Sequence, residues 1–353
     1  MKKINNLKPI AIGKHKVGNN NHCYIIAEIG SNFDGNINKA KKLIKLAKES
    51  GADCVKFQSF ITEKLLSKTG FDKKSAFQAK WKKPVWQVYK DAEFPREWHK
   101  KLADYAKKIK IDFMSTPYDY EAVDLLEKIG VPAYKIGSGD VTFLEFLKYI
   151  AKKGKPVMLP TGASTIEEIK DAVTAIKSTK NNKIIILQSV TQYPSPIEQS
   201  NILAMVSLRK KFGFNVGYSD HSPNIAVPVA SVANGACVIE KHFTDNKDNI
   251  GPDHPHSLNP QEFSYMVKLI RDVEKALGDG IKKIEKSEKE TRIIQRRSVF
   301  AVKEIQKGEK FTKENIKCLR PAIGIDASKY SAVLNKKAKR NLKPFTAIKN
   351  LDF

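Results

Sequence analysis

The sequence predicts a (β/α)8 TIM barrel followed by a small second domain, and three observations lead to this fold class. Eight short β-rich runs recur along the chain, mostly separated by amphipathic helical segments. Each run is too continuously apolar for a sheet with one face in water, and this is typical of parallel strands covered on both faces. Eight β/α units in one chain favour a closed barrel over an open doubly wound sheet. The runs begin at Cys23, Cys54, Asp112, Ala133, Pro156, Ile184, Asn215 and Ala236.

The segments between the runs have the 3.6-residue periodicity of helices that pack one face against a sheet. One helix is predicted before the turn at Gly51 and another before Val131. A third starts at Thr165 with Glu168 three residues on, as in a capping box. The longest excursion, residues 61–95, follows the second run, and it is equally compatible with a surface insertion and with a lid or dimer contact.

The composition changes after residue 280. Residues 281–293 form a charged connector, and residues 294–353 contain short strand-like runs, a Lys-Gly-Glu turn and a one-turn helix at 312–315. This stretch has too little apolar surface for a large core, so we expect a small domain that leans on a neighbour. The predicted organisation is a barrel domain at 1–280, a linker at 281–293 and a small domain at 294–353.

The chain has 353 residues and a formal net charge of +25. An excess of lysine indicates either nucleic acid or anionic small molecules as partners. The lysines are scattered over helix faces without interleaved aromatic residues, so we expect no nucleic-acid partner. No apolar run approaches the roughly 20 residues that span a bilayer, and the N-terminus lacks the apolar core of a secretory signal. Four widely spaced cysteines favour reduced thiols and a cytoplasmic location. Because there is no run long enough to span a bilayer, we expect no membrane partner.

Polar side chains recur near the carboxyl end of each apolar run. A (β/α)8 barrel builds its active site from these strand ends and from the loops after them. Because the polar residues recur in phase in all eight runs, we expect them to line one site. They are Glu28, Lys56, Gln58, Ser115, Thr116, Lys135, Ser138, Thr161, Gln188, Thr191, Ser219, His221, Lys241 and His242.

His221 and His242 stand at the ends of the last two runs, next to carboxylates. Imidazole binds several divalent metals, and two ligands leave positions open for water and substrate. We therefore expect these histidines to hold a metal ion rather than to serve only in hydrogen bonding and packing. His254 and His256 follow on the next loop, where we expect them to face solvent or substrate rather than the metal.

Lys56, Lys135 and Lys241 are predicted to point inward at strand ends. A lysine there either binds a phosphate or carboxylate as a point charge or forms a Schiff base. Several lysines with neighbouring hydroxyls suit a phosphorylated anion better than a single Schiff base. For Lys241, an internal salt bridge with Glu240 is an alternative. Glu28 is a candidate general base or acid, or else a partner of one of the lysines. The hydroxyls are those of Ser138, Thr161, Thr191 and Ser219.

Nine motifs, in order along the chain, resemble the N-acetylneuraminate (sialic acid) synthase family of phosphoenolpyruvate-dependent sugar-acid synthases. They are AEIGSN, VKFQ, STPYD, YKIGSGD, PTGAST, YPSP, GYSDHS, IEKHFT and GPDHPHSL. The tail, RRSVFAVKEIQKGEKFT with LRPAIGI, is similar to the family's C-terminal antifreeze-like (SAF, β-clip) domain. The resemblance implies condensation of phosphoenolpyruvate with the open-chain aldehyde of an N-acetylmannosamine-type sugar, which gives a nine-carbon 2-keto sugar acid and phosphate.

The resemblance also implies a role for each matching residue. His221 and His242 would hold Mn²⁺ or Mg²⁺, and Glu28 would handle the proton of the water that attacks C2 of phosphoenolpyruvate. Arg320 would reach the acceptor's N-acetyl group in a partner subunit's site, as in the family's domain-swapped homodimer. Phosphoenolpyruvate would be held by Lys56, Thr116, Lys135, Ser138, Thr191 and Ser219, and the acceptor would face Gln58, Tyr193 and Asp253.

Three positions depart from the family pattern: Phe33 stands where a histidine is common, Pro160 where a serine is common, and Thr191 where Asn or Ser is frequent. By this resemblance the phosphoenolpyruvate site is retained, but the identity of the acceptor sugar stays open. A legionaminate-type synthase, which uses a diacetamido-deoxy sugar, is therefore the alternative. A synthase of the octulosonate-phosphate or heptulosonate-phosphate kind and a Schiff-base aldolase using Lys135 or Lys56 are rivals on the same barrel. The rival that is not an enzyme is a basic nucleic-acid or polysaccharide-binding protein.

Overall fold

The computed structural model describes residues 7–19, 21–71, 74, 78–79 and 81–353. By its internal contacts the chain divides into a first unit that ends at Gly280 and a second unit, Ile281–Phe353. Within the described part of the chain, no helix has both the length and the apolar character needed to cross a bilayer.

A short antiparallel hairpin precedes the barrel. Strand β1 (Ile10–Ile12) pairs with β2 (His15–Val17) across a turn at Gly13, which has a positive φ of 55°. Ile12 and Val17 are fully buried in one apolar cluster with the first residues of several barrel strands. The hairpin therefore covers the amino-terminal end of the barrel. Periodicity in the sequence does not predict it, because strands of three residues are too short to show a pattern.

Among the described residues, eight parallel strands form the barrel: β3 (Tyr24–Glu28), β4 (Cys54–Ser59), β5 (Asp112–Pro117), β6 (Tyr134–Lys135), β7 (Val157–Pro160), β8 (Ile184–Ser189), β9 (Asn215–Asp220) and β10 (Val238–His242). Hydrogen bonds join them in the order β5-β4-β3-β10-β9-β8-β7-β6. The two end strands, β5 and β6, lie beside each other, so the barrel is nearly closed. Each predicted run contains one strand, and the predicted (β/α)8 barrel is confirmed.

Helices follow the strands, and most of them cover the outside of the barrel. They are α1 (Ile37–Glu49), α2 (Thr62–Leu65), α3 (Val85–Asp91), α4 (Trp98–Lys108), α5 (Tyr120–Ile129), α6 (Leu144–Ala151), α7 (Ile166–Ser178), α8 (Ile202–Phe212), α9 (Ala226–Ala233) and α10 (Pro260–Ala276). The capping box predicted for α7 is confirmed, since the Thr165 side chain accepts from the Glu168 N–H and the Glu168 carboxylate accepts from the Thr165 N–H. Helices α2 and α3 belong to the 61–95 excursion, of which residues 72–73, 75–77 and 80 lie outside the described residues.

Alternation along the strands decides which side chains enter the barrel. On β3, Ile26 joins the apolar cluster inside the barrel and Glu28, two residues later, shares its face. On β4, Cys54 and Lys56 repeat this arrangement. The intervening side chains, such as Ile25, pack in the larger cluster between strands and helices. The polar strand ends are therefore placed by the same alternation that builds the core.

The second unit has a core of its own. Helix α11 (Glu288–Gln295) overlaps the predicted linker at 281–293. Strand β11 (Ser298–Ala301) pairs antiparallel with β12 (Ile316–Leu319), and α12 (Tyr330–Val333) follows. The one-turn helix predicted at 312–315 is present as a single helical turn, in which the Ile316 N–H donates to the Thr312 carbonyl at 3.1 Å and the Asn315 side chain accepts from the Thr312 N–H. The buried core includes Val299, Phe311, Leu342 and Ile348.

Candidate active site

A cavity of about 720 Å³ opens at the carboxyl ends of the barrel strands. Its walls come from the loops that follow several strands, which is where barrels of this kind place their active sites. Of the residues predicted for the site, Gln58, Ser138, Thr191, Tyr193, His242 and Asp253 line the cavity. Gly30, Tyr118, Asp140 and His256 line it as well.

Two lysines and two glutamates form a buried network at the strand ends. Lys56 Nζ lies 2.8 Å from Glu28 Oε2 and 3.8 Å from Glu240 Oε1. Lys135 Nζ donates to Glu240 Oε1 at 2.9 Å. None of the four residues is more than 6% exposed. Two positive and two negative charges therefore balance each other in a region that water barely reaches.

Uncharged polar side chains complete this network. Lys56 Nζ donates to Thr116 Oγ1 at 3.0 Å, and Gln58 Nε2 donates to Glu28 Oε1 at 2.8 Å. Ser219 Oγ donates to Glu240 Oε1 at 3.1 Å. The structure thus brings together six residues that the sequence predicts for the site: Glu28, Lys56, Gln58, Thr116, Lys135 and Ser219.

The surroundings shift the pKa values of the charged groups in different directions. Burial raises the pKa of the Glu28 carboxyl, although Lys56 acts against this rise. Burial lowers the pKa of the Lys135 ammonium despite the attraction of Glu240. Burial alone would raise the pKa of Glu240, but Lys135 and Lys56 hold it at about 2. Glu240 is therefore the constant counter-ion, and Glu28 is the carboxyl more able to take up a proton.

Two hydroxyls converge beside Gly162. A Cβ atom at Gly162 would overlap Thr191 Oγ1 and lie 3.0 Å from Ser138 Oγ, so only glycine leaves room for both side chains. Thr191 Oγ1 is buried, and no hydrogen-bond partner for it is present in the described residues. A buried hydroxyl in this state is ready to donate to the oxygen of a bound anion.

His221 and His242 lie side by side, with ring centroids 5.6 Å apart. The ring of Tyr193 lies 4.3 Å from that of His221. His221 Nδ1 donates to the Val190 carbonyl at 2.8 Å, which leaves Nε2 of His221 as the nitrogen with a lone pair. Burial lowers the pKa of His221 to about 3, so its ring is neutral at physiological pH. A neutral imidazole held in one tautomer is the form that binds a metal.

The residues around His242 fit a divalent metal ion. One ligand atom from each of His242, Asp253 and His256 lies within 4.8 Å of the others, and this is the group of three metal-binding side chains that the described residues offer. His242 Nδ1 and His256 Nε2 are buried without a hydrogen-bond partner in this part of the chain. Partnerless buried polar atoms are rare in folded proteins, and a bound ion is one way to satisfy them.

The 61–95 excursion supplies an apolar wall of the cavity. Its side chains on this wall are those of Leu65, Leu66, Trp81, Val88 and Ala92. The ring of Tyr89, on α3, packs edge-to-face on Phe60 at 5.6 Å, which ties the excursion to the end of β4. The segment is therefore part of the cavity and more than a surface insertion.

Comparison with known protein families agrees with this geometry. The model of the NeuB family matches residues 43–282, which is more than half of the chain. This chain belongs to the NeuB family. The model of the SAF domain matches residues 296–353, so the predicted SAF domain is confirmed together with the family.

Individual relatives of this NeuB-family chain include two from Campylobacter jejuni. Its N,N'-diacetyllegionaminic acid synthase is 45% identical over 324 residues, which cover 90% of this chain and 96% of that protein. Its pseudaminic acid synthase is 36% identical over 342 residues, which cover 96% and 99%. The crystal structure of the N-acetylneuraminic acid (sialic acid) synthetase from Leptospira borgpetersenii in complex with citrate superposes with a TM-score of 0.73 at 33% identity, over 81% of this chain and 95% of that one.

The prediction that Lys241 points into the NeuB-family barrel is wrong. Lys241 Nζ donates to Asp220 Oδ2 at 2.6 Å and also to the carbonyl oxygens of Ser222 and Asn224. Consecutive side chains of a strand point to opposite faces, so Glu240 faces the barrel interior and Lys241 faces away from it. The alternative of a Lys241–Glu240 salt bridge is wrong for the same reason.

Thr161 is a further predicted residue, and it does not line the cavity. Thr161 Oγ1 donates to the Leu187 carbonyl and to Gln188 Oε1, both at 3.2 Å. Arg320 is exposed in the second unit, directly after β12. Phe33, which stands where the family often has a histidine, is buried in an aromatic cluster of the core. The substrate roles of Thr161 and Arg320 stay predictions.

The expectation that His254 and His256 face solvent or substrate is wrong for His254. This ring is fully buried and hydrogen-bonds to Thr244 Oγ1 at 2.6 Å and to Asp34 Oδ1 at 2.9 Å. His256 does line the cavity, but its ring centroid lies only 4.6 Å from that of His242. The loop therefore uses one histidine to fix itself to the barrel and presents the other beside a predicted metal ligand.

Sequence reasoning misses two charged residues of the site, Glu240 and Asp140. For Glu240 the signal is available, since His242 on the same strand is inward and residues two apart share a face. Asp140 lines the cavity, its Oδ2 is buried with no hydrogen-bond partner among the described residues, and burial raises its pKa to about 6. Asp140 ends the motif YKIGSGD, but no periodicity predicts its burial, which depends on how the turn at Gly137 folds beside Tyr118.

Proposed function

We propose that this chain condenses phosphoenolpyruvate with the open-chain form of an N-acetylated amino sugar, giving a nine-carbon 2-keto sugar acid and phosphate. The observation that carries this proposal is the buried network of Glu28, Lys56, Glu240 and Lys135, next to a cavity lined by histidines. The lysines suit an anionic substrate, and the histidines suit a metal that activates a carbonyl. The family members from Campylobacter jejuni are named as synthases of sugar acids of this type.

Phosphoenolpyruvate would bind through Lys56 and Lys135. In the free protein Glu28 and Glu240 neutralise these lysines, so a substrate with several negative charges competes with carboxylates that are already in place. The phosphate would in addition accept hydrogen bonds from the hydroxyls that meet at Gly162, those of Ser138 and Thr191. Thr116 and Ser219 would hold Lys56 and Glu240 in position and complete the anion site.

We place a divalent ion, Mn²⁺ or Mg²⁺, at His221 and His242. When bound there, the ion would supply a Lewis acid that polarises the aldehyde of the acceptor. The protein's part is to keep both imidazoles neutral and oriented, which burial and the bond from His221 to Val190 achieve.

Glu28 is the proposed acid-base group. C3 of phosphoenolpyruvate would form the new bond to the aldehyde carbon as water adds to C2, and the aldehyde oxygen would become a hydroxyl by taking up a proton equivalent to the one that the water loses. Phosphate then leaves with the bridging oxygen, and C2 becomes the ketone. The Glu28 carboxylate would accept the proton of the attacking water, because burial raises its pKa and Gln58 holds it in place at 2.8 Å.

The acceptor that we favour is a 2,4-diacetamido-trideoxymannose. Gln58, Tyr193 and Asp253 provide polar groups on the cavity wall, whereas the 61–95 excursion provides apolar ones. A second acetyl methyl and a 6-deoxy carbon would bury against that apolar wall, a gain of about 0.8 kcal/mol per buried carbon. In line with this choice, the chain is 45% identical to the legionaminic acid synthase of Campylobacter jejuni and 36% identical to its pseudaminic acid synthase.

Arg320 would contact the acceptor's N-acetyl group in the site of a second copy, with residues 281–293 as the linker and a homodimer in the cytoplasm as the working form. The exposed position of Arg320 next to β12 is compatible with such a contact. Arg320→Ala is expected to raise the KM for the acceptor by about tenfold while the KM for phosphoenolpyruvate stays nearly constant. Equal effects on both KM values would count against this role.

Phosphate release tests the proposed reaction. Protein loaded with Mn²⁺ would be mixed with phosphoenolpyruvate and one of three acceptors: N-acetylmannosamine, 2,4-diacetamido-trideoxymannose or its altrose isomer. We expect the diacetamido mannose isomer to react fastest and His221→Ala to abolish release. If folded, metal-loaded protein releases no phosphate with any of the acceptors, the proposed function is wrong.

A Schiff-base aldolase is a rival function, and one trapping experiment distinguishes it from the proposed synthase. Such an enzyme would join pyruvate to Lys135 or Lys56, and borohydride would fix the adduct on the protein. We expect no mass increase on either lysine, because both are engaged in ion pairs with carboxylates. A peptide mass that shows pyruvate reduced onto one of them would favour the aldolase.

A further inference from the structure

His256 is a buried histidine that the reaction proposed above does not use. It is 5% exposed, and its ring centroid lies 4.6 Å from that of His242 and 5.3 Å from that of Tyr193. His256 Nε2 is buried and makes no hydrogen bond to any described residue. An imidazole that served only to pack would leave this nitrogen permanently desolvated, which is unfavourable.

The nearest charged group to His256 is arranged as a second ligand rather than as a hydrogen-bond partner. Asp253 Oδ1 lies 3.9 Å from His256 Nε2, which is too long for a hydrogen bond. The other oxygen, Asp253 Oδ2, accepts from the N–H and the hydroxyl of Ser31, both at 2.9 Å. Ser31 thereby fixes the carboxylate with Oδ1 directed toward the histidines.

The backbone opposite makes room for this arrangement. A Cβ atom at Gly30 would overlap Asp253 Oδ2 and lie 3.5 Å from His242 Cε1. Gly30 has a positive φ of 54°, a conformation that favours glycine. The chain therefore brings His242 and Asp253 together at a point where a larger residue would separate them.

The spacing of the three side chains matches that of ligands around one ion. One ligand atom from each of His242, Asp253 and His256 lies within 4.8 Å of the others. Bonds of about 2.0–2.2 Å allow two ligand atoms to lie up to about 4.4 Å apart. Movements of a few tenths of an ångström in these three side chains would therefore close them on one ion. His221 is not in this group of three, and its ring centroid lies 5.6 Å from that of His242.

We infer that His256 is a third imidazole ligand of the metal ion, in addition to His221 and His242, with Asp253 Oδ1 as the oxygen ligand. The inference rests on the metal-binding part of the proposed function. The acceptor aldehyde would bind next to the ion, so a ligand of the ion also lies beside the acceptor. The role of Asp253 as a ligand therefore agrees with its proposed place at the acceptor. Three imidazoles favour a transition metal such as Mn²⁺, Fe²⁺, Co²⁺ or Zn²⁺ over Mg²⁺, which prefers oxygen ligands. These four side chains would hold the ion and leave room beside it for substrate oxygens.

Metal affinity measured without substrates tests the inference. The metal-free full chain would be titrated with Co²⁺ in competition with a chelator, and the visible spectrum of the Co²⁺ form recorded. We expect His256→Gln to raise the Kd for Co²⁺ by about tenfold or more and to change the ligand-field bands. His99→Gln is the matched control, because His99 Nε2 is also buried without a partner in the described residues but lies on α4.

A measurement on the unmodified sequence makes the test independent of how the variants fold. Protein labelled with ¹⁵N-histidine and loaded with Mn²⁺ would be examined by pulsed EPR, and we expect three coupled imidazole nitrogens. Two couplings, together with a His256→Gln variant that binds Co²⁺ like the unmodified protein, would overturn the third ligand and leave the proposed function intact. Failure of the unmodified protein to bind any of these ions would overturn the metal site itself.

Discussion

The two halves of the barrel interior are built from the same strands and yet have opposite chemistry. The lower half, formed by Ile12 and Val17 of the hairpin with Ile26, Met114, Ile185, Leu187 and Val238 of the strands, is apolar and fully buried. The upper half, formed by Glu28, Lys56, Lys135 and Glu240 with their hydrogen-bond partners, is charged and almost as deeply buried. Even paired, four buried charges contribute little net stability because their desolvation is unfavourable. The apolar burial of the lower half therefore holds the upper half in place.

The interior side chains change from apolar to charged over two residues along a strand. Ile26 precedes Glu28 on β3, and Val238 precedes Glu240 on β10, on the same face in each case. The lower residues bury apolar surface, which is the main favourable contribution to folding. We propose that the upper residues contribute to function instead. We therefore expect changes in the lower half to alter stability alone and changes in the upper half to alter activity first.

Removal of Lys135 is expected to have the largest effect. Lys135→Met takes away the cation that Glu240 accepts from at 2.9 Å and leaves Lys56, at 3.8 Å, as its remaining cation among the described residues. We expect a loss of about 3 kcal/mol in the free energy of unfolding and a fall of about a thousandfold in phosphate release.

The double variant Lys135→Met/Glu240→Gln separates these two effects. Removing the uncompensated charge should restore most of the stability measured by urea unfolding, while activity stays lost. A single variant that keeps a tenth of the activity, or a double variant that recovers it, would show that the network is structural and not an anion site.

Leu187→Ala is the corresponding change in the lower half. Leu187 is fully buried in the apolar cluster inside the barrel. We expect the free energy of unfolding to fall by about 2–5 kcal/mol, with the KM for phosphoenolpyruvate unchanged within about twofold. Urea unfolding and steady-state kinetics on the same preparation measure both quantities. A clear rise in KM would mean that the two halves are not independent.

His99 provides an ionisable group in the core outside the cavity. Burial lowers the pKa of His99 to about 4, below its ordinary value of 6.5. As the pH falls from 6.5 toward 4, the unfolded chain binds a proton that the folded chain does not, so stability declines over this window and is full above it. Between pH 7 and pH 5 we expect a loss of about 2 kcal/mol from this group.

Urea unfolding of the unmodified protein and His99→Gln at both pH values isolates this contribution. The variant should lose less stability on acidification than the unmodified protein does. Equal losses in the two proteins would show that His99 is accessible to protons in the folded state.

Gly162→Ala is expected to have the smallest effect and tests the hydroxyl pair. The new Cβ would overlap Thr191 Oγ1, so that hydroxyl must turn away from its position beside Ser138. We expect the KM for phosphoenolpyruvate to rise about tenfold, equivalent to about 1.4 kcal/mol. In the Thr191→Ala background the same substitution should add less, because the overlap with Thr191 Oγ1 is gone and only contacts of 3.0 Å to Ser138 Oγ and 3.3 Å to the Cβ of residue 191 remain. Additive effects of the two substitutions on this KM would mean that Gly162→Ala does not act by displacing the Thr191 hydroxyl.

Most of the fold could be predicted because long patterns specify it. Eight apolar runs and the helices between them repeat the same physical requirement, which is burial of a parallel strand on both faces. The hairpin of β1 and β2 could not be predicted from strands of three residues. The single turn at 312–315 could be predicted from its local composition, and the hydrogen bond from the Ile316 N–H to the Thr312 carbonyl closes it.

The site could be predicted wherever residues lie at strand ends, and less well where loops decide. Glu28, Lys56, Lys135 and Ser219 do meet, because strand ends of one barrel share a face. The prediction for Lys241 is off by one residue in the alternation along β10. Glu240 faces the barrel interior, and Lys241 faces away from it. His256 and Asp140 could not be placed, because their burial depends on loop conformations that no periodicity describes.

The central claim is that the charged upper half handles phosphoenolpyruvate by adding water at C2. Phosphoenolpyruvate labelled with ¹⁸O at the oxygen that bridges C2 and phosphorus tests this directly. We expect the label in the released phosphate, because the bond between C2 and the bridging oxygen breaks. Label retained in the ketone of the sugar acid would mean that water attacks phosphorus, and it would contradict both the proposed course of the reaction and the role of Glu28.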